Sequence, residues 1–97
     1  MTSASPRRWT FLTNHGMVLV KVWQSPNLTV REVAEQVGIT ERATHRILAN
    51  LIREGYISRR RDGRRNYYFI DDHRPMRHPD VSHIEVGSLL RAMGRER

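Results

Sequence analysis

Arginine is the residue type whose number and spacing say most about the chemistry of this sequence. Sixteen of the seventeen basic side chains among its 97 residues are arginines, and Lys21 is the single lysine. The planar guanidinium group can bind a phosphate, or the edge of a guanine, through two parallel hydrogen bonds. An ordinary solvated basic surface has the same composition, so the positions of the arginines must distinguish a nucleic-acid-binding protein from any other.

The positive charge is concentrated in one short segment. Residues 56–70 contain five arginines and one aspartate, which supply +4 of the net charge of +7. Apolar residues that favour strands lie on both sides of these arginines, at 56–57 and 67–70, whereas a disordered basic tail has no such flanks. Asp62-Gly63 is a strong signal for a two-residue hairpin turn of type I′. The segment therefore predicts a β-hairpin with a positively charged tip, whose arginine-rich part spans 59–66.

Two helices are predicted at the start of the chain. The first follows Thr13 or Asn14 as N-cap and includes residues 17–23, although the β-branched residues of that segment favour a strand locally. Thr29 and Glu32 have the spacing of a capping box, in which each residue satisfies a backbone donor of the other. The second helix is therefore predicted to begin immediately after Thr29.

A third helix is predicted after a tight turn at Gly38. Thr40 is its N-cap, and residues 41–54 form the helix itself. Two short helices joined by such a turn are a helix-turn-helix pattern. At about 100° per residue, Leu48 falls on the inner side of the third helix. The opposite side carries Arg42, Arg46 and Arg53, with His45 at its margin.

A fourth helix is predicted over residues 80–94, after a polar linker over 73–79 that contains two prolines. Its apolar residues lie on two nearly opposite sides, with Val81 and Ile84 on one of them. A chain of this length buries a modest fraction of its surface, so one side is predicted to contact a second copy of the chain. The alternative is a helix that folds back on its own domain. The residues expected in the dimer interface are Trp9, Phe11, Val86, Leu89, Leu90 and Met93.

The order of helix, helix, turn, helix and basic hairpin is that of a winged helix-turn-helix. Residues 40–57 resemble the recognition helix and following turn of ArsR-type and MarR-type transcription regulators of bacteria and archaea, and residues 61–68 (RDGRRNYY) resemble their wing. Ala34 and Gly38 also match, since alanine permits close helix contact and glycine forms the turn. The resemblance covers residues 12–70. It implies an α+β fold with three helices, a hairpin wing and a C-terminal dimerisation helix.

The resemblance also implies a homodimeric regulator that binds double-stranded DNA. The two-fold symmetry of such a dimer predicts an inverted-repeat operator. The absence of an apolar run that could span a membrane predicts a cytoplasmic location, in association with the nucleoid.

The winged domain of this regulator would span residues 9–72, after a disordered basic leader over 1–8. The cysteine-rich metal motif of many ArsR-type sensors is absent. The residues after the linker are too few for the long helices that form the drug-binding cleft of MarR-type proteins. The sensor half of either family is therefore not recognisable in the sequence, which leaves the question of a small-molecule effector open.

The third helix and the wing are expected to share the contact with DNA. The N-terminal half of the helix is expected in the major groove, with Arg42, His45 and Arg46 nearest the base edges. The wing is expected on the phosphate backbone or in the adjacent minor groove, and Arg59 is expected further back on its strand. The DNA-binding residues predicted from the sequence are Thr40, Arg42, His45, Arg46, Arg53, Arg60, Arg61, Arg64 and Arg65.

Other functions find less support in the residues. The sequence has no cysteine, which excludes disulfides and thiolate metal sites. His73, His78 and His83 are five residues apart with prolines between them, so neither a metal nor another cofactor is predicted. No nucleophile–base spacing indicates an enzyme, and no apolar run reaches the roughly 18 residues that would indicate a membrane span. The main alternative is a winged-helix module that binds an acidic protein partner, and an RNA-binding wing is a third.

Overall fold

The computed structural model describes residues 9–94, which form four α-helices and one antiparallel hairpin. The elements are α1 (Asn14–Gln24), α2 (Val30–Val37), α3 (Glu41–Arg53), β1 (Ile57–Asp62), β2 (Arg65–Ile70) and α4 (Val86–Met93). This order confirms the predicted α+β fold of three helices, a hairpin wing and a C-terminal helix. The predicted leader over residues 1–8 lies outside the described residues. No helix within residues 9–94 is long and apolar enough to cross a membrane.

A threonine hydroxyl begins each of the first three helices. Thr13 accepts a hydrogen bond from the backbone N–H three residues later at 3.1 Å, and Thr29 and Thr40 do the same at 3.1 and 3.0 Å. At Thr29 the contact is reciprocal, because a Glu32 carboxylate oxygen accepts from the Thr29 N–H at 2.9 Å. These bonds satisfy donors that have no partner inside the helix. They confirm the predicted capping box and identify Thr13 as the cap of α1.

The central helix of the core is α1, which packs against α2, α3, β2 and α4. Its β-branched residues are weak helix formers, each by up to about 0.7 kcal/mol relative to alanine. Burial of each such side chain contributes about 1.5–3 kcal/mol, so packing decides the conformation. The buried residues of α1 are Val18, Leu19, Val20 and Val22.

A left-handed glycine turns the chain from α2 to α3. Gly38 has a φ of +88°, and its N–H donates to the Ala34 carbonyl at 2.8 Å. A side chain with a Cβ is strained at this angle, so Gly38 sets the direction in which α3 leaves the turn. On the inner side of α3, the fully buried Thr44 donates its hydroxyl hydrogen to the Thr40 carbonyl at 2.9 Å. The buried polar group is therefore satisfied and holds the first turn of α3.

The hairpin forms at the predicted place but with a different turn. Asp62 pairs with Arg65, so the two central residues are Gly63 and Arg64, one position later than predicted. Of these two turn residues, only Gly63 has a positive φ (+64°). A type II′ turn needs a positive φ at its first central residue alone, whereas a type I′ turn needs it at both. The predicted turn would have placed Arg61 opposite Arg64. The observed register instead pairs Asp62 with Arg65, and the attraction between these opposite charges stabilises this register.

Residues 71–77, which we call the strap, are packed against the domain rather than forming a free linker. Arg74 donates from Nε to the Gly55 carbonyl at 3.2 Å. The buried Tyr56 donates its hydroxyl hydrogen to the Pro75 carbonyl. The strap therefore connects the C-terminal end of α3 to the segment that precedes α4.

The helix α4 begins at Val86, so the prediction of a helix over 80–94 was wrong in its first part. A β-bridge between Pro75 and Glu85 holds Glu85 extended, with φ −76° and ψ 147°. A helix that started at residue 80 would have to include this extended residue. A single turn of 3-10 helix at Pro79–Val81 forms there instead.

The fourth helix folds back on its own chain. Val86 is 4% exposed and Leu90 is fully buried in the core, where α4 packs against α1. Both residues were predicted to face a partner subunit, but the core of their own chain covers them. The alternative of a helix folded on its own domain therefore accounts for Val86 and Leu90. Of the remaining residues, Leu89 is half-buried and Met93 is 43% exposed.

His73 joins the strap to the start of α4 through a contact that depends on protonation. Its Nδ1 lies 3.0 Å from a Glu85 carboxylate oxygen, and its Nε2 lies 3.7 Å from Asp72. The hydrogen bond to Glu85 raises the pKa of His73 above its ordinary value, and the charge of Asp72 raises it further. Because folding raises this pKa, protonation of His73 stabilises the folded state. This contribution is complete below the pKa of the unfolded chain, near 6.5, and is lost as the pH rises through the pKa of the folded chain.

The free energy of unfolding is therefore expected to fall more between about pH 6 and about pH 8.5 for the unmodified chain than for His73→Gln. Urea titrations at the two pH values measure the difference, and His83→Gln, at another exposed histidine, is the control. The side chain of His73 is 77% exposed, so solvent screening keeps the effect small. Equal pH dependence in the unmodified chain and in His73→Gln would contradict the prediction.

Candidate nucleic-acid interface

The N-terminal half of α3 presents three exposed side chains that can donate hydrogen bonds. Arg42 and Arg46 lie opposite the buried side of the helix, and His45 lies at the margin of their side, within about one turn of both. Within residues 9–94, no hydrogen bond or ion pair occupies any of the three. Their donors are therefore available to a ligand. The structure thus brings together the three residues that were predicted to lie nearest the base edges.

The two ends of α3 differ in how their polar side chains are engaged. Thr40 is exposed at the N-terminus, where its hydroxyl oxygen caps the helix. Arg53, in the last turn, donates to Asn50 Oδ1 at 2.9 Å and lies 3.9 Å from the carboxylate of Glu54. At 1.5 Å per residue it is about 16 Å along the helix from Arg42. The structure therefore sets Arg53 apart from the N-terminal arginines.

The side chains of the wing divide between two faces. In the pairing of β1 with β2, Arg59 lies opposite Tyr68 and Arg60 lies opposite Tyr67. Successive side chains of a strand point to opposite faces, and Tyr68 is buried, so Arg59 lies on the face turned toward the domain. Arg60 lies on the other face, with its guanidinium carbon 5.7 Å from the centre of the Phe69 ring. This is a cation–π distance.

Three further arginines surround the tip of the wing. Arg61 donates from Nε to a backbone carbonyl of the turn at 3.2 Å, and Arg64 is exposed within the turn. Arg65 lies near the start of α2. Hydrogen bonds from Thr29 hold the pKa of Glu32 below its ordinary range, and the positive charge of Arg65 lowers it further. The tip of the wing and the start of α2 line a common cavity of about 230 Å³.

A groove lies between α3 and β1, and it contains an arginine that was not included among the predicted DNA-binding residues. Arg59 lies in this groove together with His45 of α3. Arg59 could have been predicted from the alternation of side chains along the strand, because it follows the apolar and buried Ile57 by two residues and so lies on the same face. The groove has a volume of about 330 Å³ and is lined by His45, Leu48, Ala49, Ile52, Arg53, Arg59 and Tyr68.

A family model described as winged helix-turn-helix DNA-binding matches residues 22–58. The match begins near the end of α1, includes α2 and α3, and ends at the start of β1. It therefore contains the exposed arginines of α3. None of the curated proteins matches the chain. The described residues form a winged helix-turn-helix fold, as the sequence predicted.

Solved structures of transcriptional regulators are similar to this chain. The PcaV transcriptional regulator from Streptomyces coelicolor, in complex with its natural ligand, is 28% identical with a TM-score of 0.56, over 63% of this chain and 45% of that chain. A predicted DNA-binding transcriptional regulator from E. coli is 26% identical with a TM-score of 0.56, over 79% and 74%. A MarR-family protein from Mycobacterium tuberculosis, in complex with salicylic acid, is 27% identical with a TM-score of 0.50, over 61% and 47%.

The similarity to the MarR-family protein confirms the predicted resemblance to MarR-type regulators. The chain spans about half the length of the S. coelicolor and M. tuberculosis proteins that it matches. The similarity to the three proteins extends over 61–79% of this chain.

Proposed function

We propose that this protein is a transcriptional regulator that binds a specific sequence of double-stranded DNA as a homodimer, in the cytoplasm and associated with the nucleoid. The observation that carries the proposal is the cluster of Arg42, His45 and Arg46 on the N-terminal half of α3, whose donors no other described residue occupies. The family match over residues 22–58 and the similarity to solved transcriptional regulators support it.

The helix α3 has the size and the polarity to enter the major groove. An α-helix with its side chains is about 10–12 Å across, and the major groove of B-DNA is about 12 Å wide. The buried side of α3, which includes Leu48, attaches the helix to the domain, so the arginine side faces outward. A guanidinium group that donates two parallel bonds to guanine O6 and N7 distinguishes this base from the other three. In this placement Arg42 and Arg46 read base edges.

The exposed arginines at the wing tip are proposed to bind phosphates of the backbone beside the adjacent minor groove. Replacing Arg64 and Arg65 together by glutamine is expected to weaken binding to all duplex sequences by a similar factor. Each lost phosphate contact removes about 0.9 from the slope of log affinity against log salt, so the slope should flatten by up to about two units. Anisotropy titrations of a specific and a scrambled duplex at several salt concentrations measure both quantities. A sequence-selective loss with an unaltered slope would reject this role.

The homodimer is proposed from apolar side chains that the chain leaves exposed. Trp9 is 72% exposed and Phe11 is 93% exposed, with their rings 5.0 Å apart in an edge-to-face contact. On α4, Met93 is exposed and Leu89 precedes it by one turn. Exposed apolar patches on soluble domains commonly mark association surfaces. A second copy would present a second α3 related by two-fold symmetry, so the operator is expected to be an inverted repeat.

The second candidate function is a module that binds an acidic protein partner. The observation that favours it is the charge of the wing, because an acidic protein surface complements five arginines as a phosphate backbone does. Sequence readout by α3 distinguishes the two, since an acidic partner needs no base-specific contact.

Selection of bound sequences from random duplex DNA is the direct test. A regulator is expected to retain one inverted-repeat motif with half-sites about one helical turn apart. Competition against the selected duplex by polyglutamate and by single-stranded RNA then separates the alternatives. Displacement by polyglutamate that is as effective as displacement by the selected duplex would favour the acidic-partner function. A pool without any common motif would remove the support for sequence-specific regulation.

A further inference from the structure

Two neighbouring arginines of β1 have the same charge but opposite surroundings. Arg59 shares its face of the hairpin with the buried Tyr68, and both line the groove between α3 and β1. Arg60 lies on the opposite face, where its guanidinium group is 5.7 Å from the centre of the Phe69 ring. Phe69 is 51% exposed, so this contact lies on the outer surface of the wing. Only Arg59 of the pair is turned toward the recognition helix.

The groove has a positive charge that its own walls do not neutralise. Its lining contains Arg59, Arg53 and His45, and it contains no carboxylate. Arg53 has an acidic partner in Glu54, at 3.9 Å, but Glu54 lies outside the lining of the groove. Within residues 9–94, no carboxylate lies within ion-pair distance of Arg59. The groove therefore favours an anionic occupant that comes from outside the chain.

The geometry of duplex DNA supplies such an anion at this position. The major and minor grooves of a duplex are separated by a sugar–phosphate strand. A domain that places α3 in the major groove and its wing tip at the adjacent minor groove must let this strand pass between α3 and the wing. The groove that contains Arg59 lies between α3 and β1, on the side of α3 that carries His45.

We infer that a backbone phosphate of the bound duplex occupies the groove between α3 and β1, that Arg59 binds it, and that Arg60 makes no contact with the DNA. The inference rests on the proposed DNA-binding function and deepens it, because it names the ligand of this groove and the arginine that holds it. The contact fixes the distance between the helix and the wing on the duplex, and it carries no sequence information of its own.

The test compares Arg59→Gln with Arg60→Gln, which remove the same charge from adjacent positions of one strand. Anisotropy titrations against the selected duplex at several salt concentrations give the slope of log affinity against log salt. Arg59→Gln is expected to lower the magnitude of this slope by about 0.9 and to weaken specific and scrambled duplexes by a similar factor. Arg60→Gln is expected to leave the slope unchanged, and Arg59→Lys, which keeps the charge, is expected to preserve most of it.

The outcomes separate the inference from the function on which it rests. Equal losses of slope in Arg59→Gln and Arg60→Gln, or a loss confined to Arg60→Gln, would overturn the inference while leaving DNA binding intact. An unmodified protein that prefers polyglutamate to any selected duplex would overturn the proposed function, and the inference with it. Thermal unfolding of both variants shows whether each domain is folded, so a loss caused by unfolding is identified separately.

Discussion

An Arg46→Ala variant is expected to bind its specific duplex roughly 5- to 150-fold more weakly than the unmodified protein. This range corresponds to the 1–3 kcal/mol that a bidentate contact with a base contributes to discrimination, at 1.4 kcal/mol for each factor of ten. The guanidinium group of Arg46 is exposed, and no other described residue holds it in place. The substitution removes a group that has no structural task in the free chain. The stability of the domain should therefore change little.

The same variant is expected to relax the sequence preference at one base pair, because only the lost contact read that position. A repeat of the selection from random duplex DNA with Arg46→Ala measures this directly. Arg77→Ala is the matched control, since Arg77 is an arginine of the strap that pairs with Glu54 at 3.1 Å and lies outside the proposed interface. If Arg46→Ala and Arg42→Ala both retained full affinity and unchanged sequence preference, α3 would not be the reading helix.

The helices that carry the candidate site could be predicted because their signals are local. The capping box of Thr29 and Glu32 lies within four residues, and Gly38 and Thr40 lie within three. Each of these motifs satisfies its own backbone groups, so its conformation depends little on the rest of the chain. The exposed side of α3 follows from helical periodicity once its first residue is known. The face that carries Arg42 and Arg46 was therefore predictable.

The start of α4 could not be predicted, because it depends on contacts between segments that are distant in the sequence. Pro75 and Glu85 are ten residues apart, and their pairing keeps Glu85 extended. A helical stripe likewise indicates that one side of a helix is covered, but it does not indicate which chain covers it. Val86 and Leu90 have the pattern of an interface and are buried in the core of their own chain.

The wing could be predicted only in part from the sequence. The presence of a hairpin followed from Asp62-Gly63 and the flanking apolar residues, but its register depends on which cross-strand pairs form. The side of the hairpin on which each arginine lies could have been read from alternation with Ile57, which is buried. The contact of Arg60 with Phe69 required the observed pairing of β1 with β2.

The proposed dimer leads to the second large effect. Charged substitutions on the exposed part of α4, Leu89→Glu together with Met93→Glu, are expected to separate the two subunits. Each subunit then binds one half-site without the gain in effective concentration that a linked second site supplies, so affinity for the full operator should fall roughly 100-fold or more. Leu90 is unsuitable for this test, because it is fully buried and a charge there would unfold its own chain. The double variant should remain folded, since neither of its positions belongs to the buried core.

Sedimentation of the unmodified protein and of the double variant at micromolar concentration, with and without operator DNA, measures the separation directly. The matched control is Ser88→Glu, which adds a negative charge to an exposed position of the same helix beside Leu89. This control is expected to remain dimeric, because it leaves the apolar side chains of Leu89 and Met93 in place. If the double variant loses far less affinity for a single half-site than for the full operator, the affinity that it loses on the full operator came from the second subunit. An unmodified protein that sediments as one chain, and remains one chain per half-site on DNA, would contradict the dimer and the inverted repeat together.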